Sequence, residues 1–143
     1  MDRIIEVKWP RPVKLAVLSV LAYASLCGTN GDRYARLLPA IEHVESSGNP
    51  SAIGDGGKAV GLLQIHPVMV RDCNRIAGES RWVMSDRLDP DKSRAMFRTY
   101  SEHYSRGKSD EVVARNWNGG PSGHRKAATA GYWAKVRTHM EAK

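Results

Sequence analysis

Apolar positions along the chain fall into short runs with helical spacing, separated by breaks rich in Gly, Pro and Ser. Leu37, Leu38, Ile41 and Val44 recur at i, i+1, i+4 and i+7, the stripe of an amphipathic helix. Either Asp32 caps its start or Pro39 marks the first turn of a shorter helix. Gly48-Asn49-Pro50 ends it. Residues 50–60 read as loop, Val60 to Ile65 as a short strand or a buried extended piece, and Pro67 as the opening of a helix running toward Ile76. Asp89-Pro90 supplies a cap followed by a first-turn proline. The helix it starts extends to about Ser105 and buries Ala95, Met96, Tyr100 and Tyr104. Ser109-Asp110-Glu111 begins another helix that carries Val112, Val113 and Asn116 toward Gly119-Gly120-Pro121. A last amphipathic helix after Gly131 holds Tyr132, Trp133 and Val136. No alternation of strands and helices suggests a parallel sheet. The pattern predicts a mostly α, compact helical domain with at most a small β element beside the first helix.

That first helix ends on a carboxylate. Glu45 follows Val44 and sits one turn after Ile41, on the border of the apolar stripe. Beyond it, Gly54-Asp55-Gly56-Gly57 turns the chain back into the apolar Gly61-Leu62-Leu63-Gln64-Ile65. Burial against apolar neighbours favours the neutral form of a carboxyl group, and a general acid must be protonated before it acts. A surface glutamate at a helix end is the ordinary reading of the position alone. The Gly-rich return changes that balance, because it suits the lining of a cleft better than simple packing. Glu42, one turn earlier, is expected to point away toward solvent.

Length and composition bound what such a site serves. At 143 residues and 41% hydrophobic, the chain is one ordinary domain with a core. The formal net charge of +7 favours polyanionic partners, which include nucleic acid, anionic lipid and bacterial wall. Six of the 15 acidic residues lie between Asp86 and Glu111, so acid is locally concentrated in a basic whole. No nucleic-acid motif is present, so nucleic acid is not an expected partner. Five histidines without close spacing and two cysteines, Cys27 and Cys73, give no expected metal site, and no cofactor is expected. The cysteines either pair in an exported protein or stay reduced.

Residues 1–28 read as a leader or N-terminal extension, with the folded domain over 29–143. Met1 to Lys14 carries a net +2, Leu15 to Leu26 is uncharged and mostly apolar, and Ala22-Tyr23-Ala24 has the small-x-small form of a signal-peptidase site. About a dozen apolar residues fall short of the roughly 20 that span a bilayer. Transient membrane association through this segment and a helix belonging to the folded domain both stay open. A leader of this type points to the periplasm or cell envelope.

Three blocks together resemble a known family. Glu45-Ser46, Pro50, Gly61-Leu62-Leu63-Gln64-Ile65 and Pro67 resemble the active-site block of the soluble lytic transglycosylases, which are similar in fold to goose-type lysozyme. Asn116-Trp117-Asn118-Gly119-Gly120-Pro121 resembles that family's Tyr-Asn-Ala-Gly-Pro block, with Trp117 in place of the aromatic and Asn118 matching the Asn. Thr129, Tyr132 and Val136 resemble its closing Glu-Thr-x-x-Tyr-Val-x-x-Val motif, with Ala128 replacing the Glu and Trp133 the first Val. The resemblance covers roughly residues 35–137 and implies an α+β lysozyme-like fold, a monomer, and peptidoglycan glycan strands as substrate. It implies Glu45 as the catalytic acid and base. Ser46 would orient it or the sugar, Gly61 would allow close backbone approach, Gln64 and Asn118 would bond substrate, and Tyr132 would stand near the carboxyl. Each has a bland counterpart: loop satisfaction for Gln64, a helix cap for Asn118, a turn for Gly61 and core for Tyr132. Trp82, Trp117 and Trp133 either stack on sugars or fill the core.

Most glycoside hydrolases use a second carboxylate. Animal-type lysozymes, which the Glu45 region also resembles, carry an Asp where this chain has Ala59. Asp55 is the nearest acid, in a segment of ordinary turn composition. A lone Glu45 implies lytic transglycosylation, in which the sugar's own 6-hydroxyl closes a 1,6-anhydro ring. A muramidase using Asp55, and a non-catalytic wall-binding protein, are the alternatives. A host wall-remodelling enzyme, part of a secretion or conjugation apparatus, and a phage lytic or virion protein all fit.

Overall fold

Local chemistry sets most of the helix ends in the computed structural model, which describes residues 31–142. Helix α1, Leu37–Ser46, begins two residues before Pro39, so the shorter of the two expected helices forms. It stops because Ser47 turns left-handed at φ 56°, where the Ser47 N–H returns to the His43 carbonyl and the Gly48 N–H to the Glu42 carbonyl. Helix α2, Pro67–Ala77, opens on its proline and closes at Gly78 with φ 72°. Helix α3, Pro90–Ser105, is capped by the Asp89 carboxylate, which accepts from the backbone N–H groups of Asp91 (2.9 Å) and Lys92 (3.1 Å). Helix α4, Asp110–Gly119, is capped by Ser109, and helix α5 runs Ala130–Glu141.

Between α1 and α2 lies a minimal antiparallel hairpin, β1 (Ile53–Gly54) with β2 (Ala59–Val60), paired Ile53 to Val60 and Gly54 to Ala59. A 3₁₀ turn at Asp55–Gly57 joins the strands. The chain then folds back so that Val60 and Ile65 bridge. The expected extended piece over Val60 to Ile65 is therefore strand only at its start and a tight turn after it. Three further 3₁₀ turns, Met84–Leu88, Gly123–Arg125 and Ala127–Thr129, carry no apolar period and leave no mark in the sequence pattern.

Residues from Tyr34 onward form one unit. Helix α1 packs on α5, α3 on α2 and α4, and α4 on α5. Their shared core contains Leu37 and Ile41 of α1, Met96 and Phe97 of α3, Val113 of α4 and Val136 of α5, none more than 1% exposed. Phe97 sits at its centre, edge-on to Tyr34 (5.3 Å between centroids) and to Trp117 (5.1 Å). Met96 and Tyr100 are buried as expected, while Ala95 and Tyr104 are only half-buried. Trp82 and Trp117 are both core residues.

Glu42 departs from expectation. It is buried, not solvent-facing, because Arg94 of α3 grips both its oxygens at 2.7 and 3.2 Å. A buried carboxylate needs such a partner, and this one is 52 positions away in sequence. Cys73 is a buried free thiol whose Sγ reaches the Met96 carbonyl at 3.5 Å, and burial pushes its pKa up to about 12. Its expected alternative partner Cys27 and the expected leader lie outside the described residues. Among the described residues, no helix is long and apolar enough to cross a membrane.

Candidate active site

The last turn of α1 delivers Glu45 to the floor of a cleft of about 820 Å³. Its residue is half-buried, but the carboxyl itself is packed among protein atoms. Desolvation raises its pKa from 4.5 to about 7, while hydrogen bonds from the Tyr132 and Trp117 side chains pull the other way without cancelling it. The negative end of the α1 dipole acts in the same direction as desolvation. Tyr132, from α5, donates its Oη hydrogen to Glu45 Oε1 at 2.7 Å. Burial beside this acid holds the Tyr132 phenol well above its ordinary pKa, so it stays a donor. A carboxyl half-protonated near neutral pH can both give and take a proton.

The Gly-rich return is fastened to that helix end. Ser46 Oγ donates to the Leu62 carbonyl at 2.8 Å and to the Glu42 carbonyl at 3.2 Å. Ser46 therefore positions the loop against Glu45 and does not line the cleft. Gly61 is buried at φ 82°, and a Cβ there would collide with the Arg87 carbonyl oxygen. Its close approach is to the Met84–Leu88 turn, not to a ligand, and it too lies off the cleft lining. Arg87 completes the clamp by donating Nη1 to the carbonyls of Lys58 (3.0 Å) and Ile65 (3.1 Å).

Gln64 lines the cleft in a left-handed conformation, φ 46°. Its Nε2 donates to the carbonyls of Gly61 (2.9 Å) and Ala52 (3.2 Å), which ties the turn together. Gly54 leaves room for it, since a Cβ there would lie 2.5 Å from Gln64 Oε1. Non-glycine residues in this region cost roughly 1–3 kcal/mol. Asp55, at φ 49°, is a second strained residue in the same cleft. Its carboxylate is exposed and stands 3.6 Å from His66 Nε2. Ala59 places a methyl-bearing, buried position in the wall.

Helix α4 brings Trp117 and the exposed Asn118 to the cleft, followed by Gly120 and Pro121. That segment is held from behind. Asn116 is 1% exposed, donates to Ser105 Oγ at 2.9 Å and accepts from the His124 backbone N–H at 3.0 Å. Thr129 Oγ1 donates to the Gly123 carbonyl at 2.7 Å and accepts from Arg115 Nε at 3.0 Å. Ala128, where the resembling motif has Glu, is exposed and lies off the cleft.

The structure thus brings Glu45, Asp55, Gln64, Asn118 and, through its hydrogen bond, Tyr132 to one place, and sets Ser46 and Gly61 behind it. The α2 residues of the wall are not among those the sequence pattern singles out. Among them Asp72 accepts from Arg75 (2.7 Å) and from Tyr104 Oη (2.9 Å). The i, i+3 spacing of Asp72 and Arg75 on α2 is a visible signal; Tyr104, 32 positions away, is not.

Comparison with known proteins identifies the family. Residues 28–140 match the family described as "Transglycosylase SLT domain". The chain is 33% identical to invertebrate-type lysozyme 6 of Caenorhabditis elegans over 115 residues, 70% of this chain and 82% of that protein. It superposes with TM-score 0.63 and 27% identity on a chain in the crystal structure of Aeromonas hydrophila PliI in complex with Meretrix lusoria lysozyme, covering 73% of this chain and 88% of that one. A glutamic acid whose pKa burial raises to about 7, at the end of a helix and lining a cleft of about 820 Å³, suits glycosidic-bond cleavage, and the chain belongs to the transglycosylase SLT-domain family of lysozyme-like proteins.

Proposed function

We propose that this protein is a peptidoglycan lytic transglycosylase that cuts the β-1,4 bond between N-acetylmuramic acid and N-acetylglucosamine. The observation that carries the reading is the Glu45 carboxyl, raised to about 7 and held by Tyr132. Such a group serves as acid and then base within one cycle. In the first step Glu45 gives its proton to the glycosidic oxygen as the bond to C1 breaks. In the second, C1 is attacked by the same sugar's 6-hydroxyl, whose proton returns to Glu45. The product ends in a 1,6-anhydro ring and no water is consumed. Asp72, the other carboxylate on α2's side of the cleft, is already occupied by Arg75 and Tyr104. Ala59 supports the same reading, because the wall there offers a methyl group and no acid. In this reading the exposed Asn118 and the Oε1 of Gln64, whose Nε2 is engaged by the turn, would meet acetamido and hydroxyl groups of the glycan. Wall polymer as substrate fits action in the cell envelope, as an exported or phage-borne enzyme.

A second reading is a muramidase in which Asp55 provides the second carboxylate. It rests on Asp55 lining the same cleft as Glu45 and on the likeness to a protein named lysozyme. Mass spectrometry of digested wall separates the two. Anhydro-muramyl ends, lost in Glu45→Gln and retained in Asp55→Asn, support transglycosylation. Reducing ends that vanish in Asp55→Asn refute it in favour of hydrolysis. Loss of the acid is worth about 10²–10⁴-fold, so a Glu45→Gln variant within tenfold of wild type would refute both.

A further inference from the structure

Residues 119–128 follow Asn118 around one rim of the cleft, yet they contain no apolar side chain larger than those of alanine and proline. Gly120 and Pro121 line the cleft beside Asn118. Pro121, Ala127 and Ala128 are all exposed, so this loop gains little from the hydrophobic core. A loop of such composition moves freely unless polar contacts hold it. Here contacts with α4 hold it. Arg115 of α4 donates from Nε to Thr129 Oγ1 at 3.0 Å and from Nη2 to the Lys126 carbonyl at 3.1 Å, while its Nη1 rests on Glu111, one turn back, at 2.7 Å. Lys126 closes the strap from the loop side. Its Nζ donates to the carbonyl of Gly119, the last residue of α4, at 2.6 Å. The final carbonyls of a helix lack intrahelical donors and carry its negative end, so a lysine there answers both. The fit is close: a Cβ at Gly119 would lie 2.6 Å from Thr129 Cγ2, and one at Gly123 would strike the Arg115 carbonyl oxygen.

The residue beside this anchor has unused bonding capacity. Asn118 is exposed in the cleft, and its side-chain amide makes no hydrogen bond among the described residues. A donor and an acceptor are thus offered to a ligand from a backbone that is fastened one residue later. Ordering such a group at the moment of binding weakens affinity, and a rim ordered beforehand avoids that loss. Arg115 and Lys126 both lie off the cleft lining, so neither touches what binds there.

We propose that Arg115 and Lys126 are positioning residues that strap the loop of residues 119–129 to α4 and so preform the Asn118–Pro121 rim for a glycan. The proposal rests on the reading of this cleft as a glycan site and deepens it: substrate binding depends on the strap, and proton transfer by Glu45 does not.

The test compares Michaelis kinetics on soluble wall glycan for wild type, Arg115→Met, Arg115→Lys, Lys126→Met and Arg125→Ala. Arg125 is exposed in the same loop and its side chain makes no hydrogen bond or ion pair among the described residues, so its removal changes charge without loosening the strap. Ordering one side chain in advance is worth about two- to tenfold in affinity. Arg115→Met and Lys126→Met should therefore raise KM about three- to tenfold, with kcat within about twofold of wild type and the alkaline limb of the pH–rate profile unmoved. A lysine cannot reproduce the guanidinium fork, so Arg115→Lys should not restore KM. Arg125→Ala should match wild type. In an Asn118→Ala background the strap variants should have little further effect, a coupling that a general loss of stability would not produce. Lys126 is exposed, so Lys126→Met keeps the fold even where Arg115→Met does not. A Lys126→Met KM equal to wild type, a fall in kcat as large as the rise in KM, or an undiminished rise in the Asn118→Ala background overturns the positioning role while leaving the cleavage reading standing. Where wild type cuts no wall glycan, calorimetric titration with the same glycan decides. Binding that weakens in Lys126→Met but not in Arg125→Ala then supports the strap and refutes cleavage; no binding, or binding indifferent to Lys126→Met, refutes both.

Discussion

The Glu45 acid should make the folded protein weaker as pH rises, and replacing it should remove that weakness. In the unfolded chain the carboxyl ionises at its ordinary 4.5; in the folded protein it ionises at about 7. The folded state therefore holds a proton that the unfolded state has lost throughout the interval between those values. Stability linked to this group is fully present below about 4.5, declines through the interval, and is completely lost above about 7. At about 1.4 kcal/mol per pH unit, the whole loss is about 3 kcal/mol. Set against the roughly 5–15 kcal/mol that stabilises an ordinary domain, this is a large fraction. Glu45→Gln keeps the shape and a hydrogen-bond acceptor for Tyr132 but cannot ionise. Urea unfolding of wild type and Glu45→Gln at pH 4.5 and pH 8 isolates the effect, since every other titrating group is shared by the two proteins. The variant's advantage over wild type should grow by about 2–3 kcal/mol between the two pH values, even as its wall-cleaving activity disappears. A stability difference that is the same at both pH values would show that Glu45 is not desolvated, and the acid assignment would lose its physical basis.

Three further outcomes test the surrounding geometry. Tyr132→Phe removes the 2.7 Å hydrogen bond that favours ionised Glu45, so the carboxyl pKa should rise by about one pH unit and carry the alkaline limb of the pH–rate profile upward with it; an unmoved limb contradicts the pairing. Arg94→Met leaves Glu42 buried without its bidentate partner and should cost about 2–3 kcal/mol in urea unfolding, whereas Asp91→Ala, which removes a 3.3 Å surface contact to Arg94, should cost under about 0.5 kcal/mol. Gly61→Ala combines a left-handed backbone with a Cβ driven into the Arg87 carbonyl, so thermal unfolding should show a loss of more than about 3 kcal/mol or no folded protein.

Much of the scaffold around the cleft is legible along the chain. A helix running Pro90–Ser105 follows from Asp89 and Pro90 because cap and proline act on backbone groups one to three residues away. The same locality makes α4 readable from Ser109 and the start of α2 from Pro67. Glu45 stands out because a carboxylate on an apolar border, followed by a Gly-rich return, is an uncommon local arrangement. The 3₁₀ turns are invisible for the converse reason. Arg115, Asn116 and Thr129 fasten the loop after α4 through contacts with no period along the chain.

Helices, their caps and the position of the acid follow from the amino-acid order, since each depends on neighbours within a turn or two. The state of each polar group at the site does not follow from it and comes from the packing of distant segments. Tyr132 reaches Glu45 across 87 positions, Arg94 reaches Glu42 across 52, and Ser46 pins Leu62 across 16. Those long contacts make Glu42 a buried, ion-paired carboxylate and Glu45 a desolvated acid, although the two stand three residues apart on one helix. Desolvation is set by what packs over a carboxyl, and the helices that pack here arrive from distant parts of the chain.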